Sequence, residues 1–218
     1  MRVAGVDEAG RGCVIGPLVV AGALFDEDAI PLLAEMGVRD SKRLTKKKRV
    51  SLDEQIKALA INYHYFEISP KVIDRVVFRG QPLRRLNYLE TMVMAYVLRK
   101  LKPDKAYVDT CDVDSNRVAR QIRSVIAFDV DITCEPKADD RYPVTSAASI
   151  LAKVRRDTVI DELKKKYGDF NSGYASDKKT QAFIDEWFKH NKECPCFIRK
   201  SWATTQRRLG SRKTEQQP

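Results

Sequence analysis

Short apolar runs alternate with longer amphipathic stretches along this chain. Val3-Ala4-Gly5-Val6 is a strand-like apolar start that ends abruptly in Asp7-Glu8, and a second run from Pro17 to Phe25 is apolar at nearly every position. Apolar or alternating patterns rich in Val, Ile, Tyr and Phe recur at 61–68, 104–109 and 128–134, so strands are predicted there as well as at 2–7 and 17–25. Between them the spacing predicts helices after Asp26, after Thr45 in a Lys-rich stretch, from Pro82 to Leu101, from about Asp114 to Ile126, and from Pro143 to Tyr167. Strands and helices in that order imply an α/β layer structure with helices covering a central sheet. A turn-rich segment, Gly168 to Asp177, then separates this core from a helix around Lys178 to Asn191. The expected organisation is a main domain over 1–167 and a C-terminal helical appendage over 168–209. Residues 210–218, with nothing apolar to bury, form an expected disordered tail.

Composition narrows the class. The chain has 218 residues, enough to bury a core without disulfide staples, and is 43% hydrophobic and 32% charged. No apolar run approaches the roughly 20 residues that span a bilayer, and the N-terminus starts with a strand pattern and not with the basic, apolar and cleavage regions of a signal peptide. A cytoplasmic protein without membrane association is expected. Five scattered cysteines, Cys13, Cys111, Cys134, Cys194 and Cys196, read as reduced intracellular thiols. His190, Cys194 and Cys196 could offer three zinc ligands, but a closed structural site takes four and no second Cys/His pair stands near, so packed or idle thiols are expected.

The charge is asymmetric. Net charge is +10, and residues 141–218 hold 17 Lys+Arg against 9 Asp+Glu, which is +8 of it. Such a basic end favours a polyanion, and the lack of a basic amphipathic helix with a Trp/Phe face favours nucleic acid over anionic lipid.

Carboxylates at strand ends supply the candidate chemistry. Asp7-Glu8 runs into Gly10-Arg11-Gly12, Asp109 ends a predicted strand, and Asp139-Asp140 follows another just before a long helix. Strand ends on one edge of a sheet converge in space, so these acids can share a site although they are far apart in sequence. Clustered carboxylates repel one another unless a hard divalent cation sits among them. Each acid alone also has a plain structural reading: Asp139 or Asp140 as a helix cap, Asp109 as a turn former, Glu8 as a solvated charge. No Ser/His/Asp order competes, and the chain has only two histidines, His64 and His190. Metal-assisted phosphoryl transfer remains, with two cations about 4 Å apart activating water and stabilising the leaving oxygen.

Seven pieces together carry a family resemblance. They are Asp7 to Gly12, Asp40-Ser41-Lys42, Tyr107-Val108-Asp109, Lys137-Ala138-Asp139, Ser146 to Val154, Ser172 to Asp177, and Arg199-Lys200-Ser201-Trp202. In these pieces, which span residue 2 to about 205 in family order, the chain resembles ribonuclease HII, the type 2 ribonuclease H, of the archaeal single-chain kind. The resemblance implies a ribonuclease H-like fold: a central mixed β-sheet, flanking helices and a C-terminal helical part. It implies an endonuclease that hydrolyses RNA in RNA/DNA hybrids and cuts 5′ of ribonucleotides embedded in duplex DNA. The products are 5′-phosphate and 3′-hydroxyl ends, and the roles are ribonucleotide removal and RNA primer removal.

Carried over by motif, Asp7, Glu8, Asp109 and Asp139 match the acidic ligands of two Mg²⁺ or Mn²⁺ ions, and Asp140 is the neighbour of a ligand. Gly10, Arg11 and Gly12 match the motif that contacts the ribonucleotide, and Tyr174 matches the tyrosine at the RNA to DNA junction. Lys42 and Lys153 match positions near phosphates or the metals. The implied partners are RNA/DNA hybrid and ribonucleotide-containing duplex DNA, bound by a monomer. Many archaeal relatives end in a sliding-clamp motif with paired aromatics, whereas no aromatic follows Trp202 here, which argues against clamp docking through this tail.

Overall fold

The computed structural model describes residues 1–38, 44–80 and 86–214. Lys42, with Asp40 and Ser41, lies outside them, as does the start of the helix expected from Pro82. Among the described residues β1 (Arg2–Ala9), β2 (Leu18–Asp26), β3 (Asn62–Ile68), β4 (Lys105–Asp109) and β5 (Asp131–Glu135) form one mixed sheet in the order β3-β2-β1-β4-β5. β1 is antiparallel to β2, with Asp7 opposite Ala21. It is parallel to β4, with Gly5 opposite Tyr107 and Val6 opposite Val108. β4 is in turn parallel to β5. β5 starts at Asp131 instead of 128 because its first partner, Lys105, is the first residue of β4, leaving 128–130 no strand to pair with.

The helices are α1 (Ile30–Glu35), α2 (Lys46–Leu59), α3 (Pro70–Phe78), α4 (Leu86–Leu101), α5 (Ser115–Arg123), α6 (Ala138–Arg141), α7 (Pro143–Tyr167), α8 (Lys178–His190) and α9 (Ala203–Thr214). None of them is long and apolar enough to cross a membrane. Thr45 caps α2 by accepting from the Lys48 amide, and Asp177 caps α8 by accepting from Lys179 and Thr180. α3 and α6 are absent from the sequence expectation; α6, with four residues, has too few turns for a periodic signal. α9 runs to Thr214, past residue 210 where a disordered tail was expected. Its hold is tertiary: Leu209 packs on an apolar cluster, and the Arg208 guanidinium grips Asp185 at 2.5 and 2.9 Å.

The chain divides into two compact units, one of Met1–Ala9, Val19–Glu67 and Asn87–Arg155, the other of Gly10–Leu18, Ile68–Leu86 and Arg156–Pro218. In the first, a core of Phe25, Leu33, Leu52, Ile56, Ile150 and Leu151 fills one face of the sheet. α7 lies directly on β1 there: a Cβ at Gly5 would stand 2.0 Å from the Val144 carbonyl oxygen. α4 covers the opposite face, where a Cβ at Gly22, the partner of Val6, would stand 2.5 Å from Val97. In the second unit Val14, Ile15, Ile160, Phe170, Ile184, Phe188, Phe197 and Ile198 form a separate core.

These units differ from the linear division expected at 167 and 168. Gly10–Leu18 and α3 pack with the C-terminal segment through backbone groups. The Ile15 amide donates to the Gly173 carbonyl at 3.1 Å and the Gly16 amide to that of Phe197 at 2.9 Å. The Asp74 carboxylate accepts from the Lys200 and Ser201 amides at 2.9 and 2.8 Å.

Candidate metal centre

Register brings the first two acids together. Asp7 and Asp109 each follow the paired residues Val6 and Val108 on adjacent parallel strands, so their side chains leave the sheet side by side on one face. The third acid arrives by a turn after β5. Lys137 takes a left-handed backbone, φ 59°, and the amides of Lys137 and Asp139 donate to the two carboxylate oxygens of Asp109 at 3.2 and 3.4 Å. That turn starts α6 with Asp139 facing inward, 5% exposed, while Asp140 faces solvent. Ser146 adds a hydroxyl bond to the Asp139 carbonyl oxygen. One carboxylate oxygen each from Asp7, Asp109 and Asp139 then lie within 4.8 Å of one another.

Glu8 stands outside that group. Successive side chains on a strand point to opposite faces, so Glu8 is on the α4 side of the sheet when Asp7 is on the α7 side. Its Oε1 accepts from the Cys111 thiol at 3.2 Å, and its Oε2 is buried without a hydrogen-bond partner among the described residues. An orphaned buried carboxylate oxygen costs free energy in the protein alone and suits a cation.

The electrostatics agree. Burial pushes Asp7 up to about 6, against the pull of the Ser149 hydroxyl and the Lys153 ammonium. Burial and the Asp7 charge push Asp109 up to about 7. Burial, then Asp7 and Glu90, hold Glu8 well above the ordinary glutamate range. Carboxylates that resist ionisation because they are dry and mutually repelled are those a divalent ion stabilises most, and an all-oxygen donor set fits Mg²⁺ or Mn²⁺ better than a soft metal. Lys153 is placed at this cluster: its ammonium donates to the Ser149 hydroxyl one turn earlier on α7, and Ser149 bonds Asp7.

The Gly10-Arg11-Gly12 segment and Tyr174 meet in the second unit. Gly10 has φ +87°, and its carbonyl accepts from the Cys13 amide at 3.2 Å in a tight turn. Cys13 bridges Tyr174 in an antiparallel pair, and a Cβ at Gly12 would be 3.8 Å from the Tyr174 ring. Tyr174 is 41% exposed, and the Arg156 guanidinium lies 5.0 Å from its ring centroid. Asp177 shapes this loop by accepting from the Asn171 amide side chain at 2.7 Å and from the Ser172 hydroxyl at 2.5 Å.

Sequence reasoning left out Ser149, Glu90 and Cys111 beside the acids, and gave Arg156 and Arg199 no role. Ser149 was within reach of a helical argument, since it precedes Lys153 by four residues. The buried arginines leave no periodic signal. His190, weighed as a zinc ligand, meets Glu186 Oε1 at 2.8 Å.

Comparison with known proteins settles the family. The family model described as Ribonuclease HII matches residues 4–205. The chain belongs to the ribonuclease HII family. A ribonuclease HII of Thermococcus kodakarensis is 44% identical over 206 residues, covering 94% of this chain and 88% of that protein. One from Methanosarcina barkeri is 43% identical over 215 residues, covering 94% of each. The crystal structure of ribonuclease H2 from Pyrococcus horikoshii superposes with a TM-score of 0.90 at 40% identity, covering 98% of this chain and 99% of that one. The fold is therefore ribonuclease H-like, with a helical C-terminal part. Family membership carries ribonuclease H activity, the endonucleolytic hydrolysis of RNA in RNA/DNA hybrids.

Proposed function

We propose that the chain cuts the phosphodiester on the 5′ side of a ribonucleotide, both in RNA/DNA hybrids and at ribonucleotides embedded in duplex DNA, leaving 5′-phosphate and 3′-hydroxyl ends. The observation that carries this reading is the meeting of Asp7, Asp109 and Asp139 within 4.8 Å at a site where burial raises Asp7 to about 6 and Asp109 to about 7. These three would hold one Mg²⁺ or Mn²⁺ ion, and Glu8, with its unpartnered Oε2, would serve a second. When bound, such a pair supplies water activation and stabilisation of the leaving 3′-oxygen.

The protein's own groups prepare that chemistry. The amides of Lys137 and Asp139 fix both oxygens of Asp109. Ser149 orients Asp7, and the Lys153 charge favours its ionised form. Lys153, and Lys42 by resemblance, would also lie near substrate phosphate.

Strand choice falls to Gly10, Arg11, Gly12 and Tyr174. Only RNA carries a 2′-hydroxyl, which donates and accepts hydrogen bonds, and backbone amides free of side-chain bulk can approach it closely. The Tyr174 ring would pack on a sugar or base at the RNA to DNA junction. The exposed basic residues of 141–218 would grip the duplex backbone. Removal of embedded ribonucleotides and of RNA primers follows from such a substrate.

The test compares a duplex bearing one ribonucleotide with its all-DNA twin in Mg²⁺. The reading expects a single cut 5′ of the ribonucleotide and an intact twin. Equal cutting of both duplexes, or none of either in Mg²⁺ and Mn²⁺, refutes it.

A further inference from the structure

We propose that Arg199 is a positioning residue for ribose recognition, its buried guanidinium turning the Gly10 and Arg11 carbonyls inward so that the Arg11 and Gly12 amides face the sugar. This rests on the reading of Gly10 to Gly12 given above and adds the group that aims them.

The geometry is specific. Arg199 Nη2 donates to the Gly10 carbonyl and Nη1 to the Arg11 carbonyl, both at 2.7 Å, and Nε donates to the Gly16 carbonyl at 3.2 Å. One rigid fork thus holds both ends of the segment from Gly10 to Gly16. The side chain is 0% exposed, and its guanidinium carbon lies 4.7 Å from the Trp202 ring centroid, so the fork is fixed from behind. The Arg199 amide also donates to the Val14 carbonyl at 2.8 Å, which anchors its backbone to the same segment.

Peptide geometry gives the consequence. The described chain has no cis peptide bond, and a trans peptide points its N–H opposite to its C=O. With the carbonyls of Gly10 and Arg11 bound to Arg199, the amides of the next residues, Arg11 and Gly12, point away from it. Two successive amides aimed the same way form a concave donor site for oxygen lone pairs. A cation on each carbonyl also polarises the peptide and strengthens the opposite N–H as a donor. Lysine cannot replace this arrangement, because an ammonium is a point charge without a planar fork.

The experiment measures binding in Ca²⁺, without turnover, to the one-ribonucleotide duplex and to its all-DNA twin, for wild type and for Arg199→Lys, Arg199→Met and Trp202→Leu. Wild type is expected to prefer the ribonucleotide duplex. Arg199→Lys should reduce that preference by about five-fold or more, the worth of one well-aimed hydrogen bond, and Arg199→Met should reduce it further. Trp202→Leu removes the ring behind the fork, leaves its donors in place, and should lower the ratio in the same direction by less.

A merely structural role would weaken binding to both duplexes alike, so an unchanged ratio in a folded Arg199→Lys protein overturns the proposal. If both Arg199 variants fail to fold, an unchanged ratio in Trp202→Leu overturns it. A wild-type ratio of one defeats the reading of Gly10 to Gly12 itself, and this inference with it, which is a distinguishable result.

Discussion

Asp7 and Asp109 sit one residue beyond the paired Val6 and Val108 on neighbouring parallel strands, and this register places their carboxylates side by side, where Asp139 joins them. The pair is costly in the protein alone: burial and then the Asp7 charge raise the resistance of Asp109 to ionisation, and burial raises that of Asp7. Asp109→Asn therefore has opposite effects on function and stability. Activity on hybrid should fall by about 10²-fold or more, while hybrid binding persists and the metal-free protein melts higher at pH 8. Turnover that survives unchanged removes Asp109 from the mechanism.

Stability of the metal-free protein should depend on pH through the same acids. Asp7 at about 6 and Asp109 at about 7 are raised above their unfolded value of 3.8. An acid with a raised folded pKa contributes stability that is complete below the unfolded value and is lost as pH rises through the folded one. The melting temperature in EDTA should thus fall between pH 4 and pH 8, and Mg²⁺ should raise it more at pH 8 than at pH 5. A Mg²⁺ increment that is larger at pH 5 contradicts the assignment.

Ser149 and Lys153 tune the cluster from α7. Lys153 lowers the pKa of Asp7, so Lys153→Met should move the acid limb of the kcat/KM profile to higher pH. Ser149→Ala, which removes the hydroxyl bonded to Asp7, should shift it the same way by at least as much. A pH profile that does not move would show Lys153 to be ordinary solvated charge.

Much of this site was legible in the sequence, and the reasons are local. An apolar run ending in an acid marks both Asp7 and Asp109, and Asp139 was singled out by the Lys137-Ala138-Asp139 piece of the family resemblance. The family pattern groups Glu8 with Asp7, whereas the group of close carboxylate oxygens holds Asp7, Asp109 and Asp139 without Glu8. What stayed hidden is long-range. Arg199 is 183 residues from the Gly16 carbonyl that it binds, and no pattern along the chain encodes that contact. The assignment of Gly10–Leu18 to the second unit is of the same kind, since it rests on backbone bonds to Gly173 and Phe197.

Gly5 in β1 and Gly12 in the second unit should respond oppositely to alanine. At Gly5 the new methyl would meet the Val144 carbonyl at 2.0 Å, and α7 cannot retreat without opening the core beneath Asp7. Gly5→Ala should cost about 3 kcal/mol or more, read as a lowered denaturant midpoint. At Gly12 the nearest atom would be the Tyr174 ring at 3.8 Å, an ordinary contact. Gly12→Ala should melt like wild type yet cut poorly if, as proposed, Gly12 lines the approach to the ribose, which the methyl would then occupy. Loss of stability at Gly12 with full activity would reverse this assignment.

Tyr174 distinguishes a packing ring from a hydroxyl at the junction. Its face is supported by the Arg156 guanidinium at 5.0 Å, and the Arg156 Nη2 is bonded to the Ser172 carbonyl, so the ring is held without help from substrate. Tyr174→Phe keeps that platform and should retain most of kcat/KM on a one-ribonucleotide duplex. Tyr174→Ala removes it and should cost about 1–3 kcal/mol of transition-state binding, the usual worth of an aromatic face against a base, which is roughly a 5- to 150-fold loss. The loss should appear on duplexes with a DNA residue 3′ of the ribonucleotide and shrink on continuous RNA/DNA hybrid, where there is no junction to mark. Equal losses for the two variants would assign the effect to the hydroxyl, and equal losses on the two substrates would take Tyr174 away from the junction.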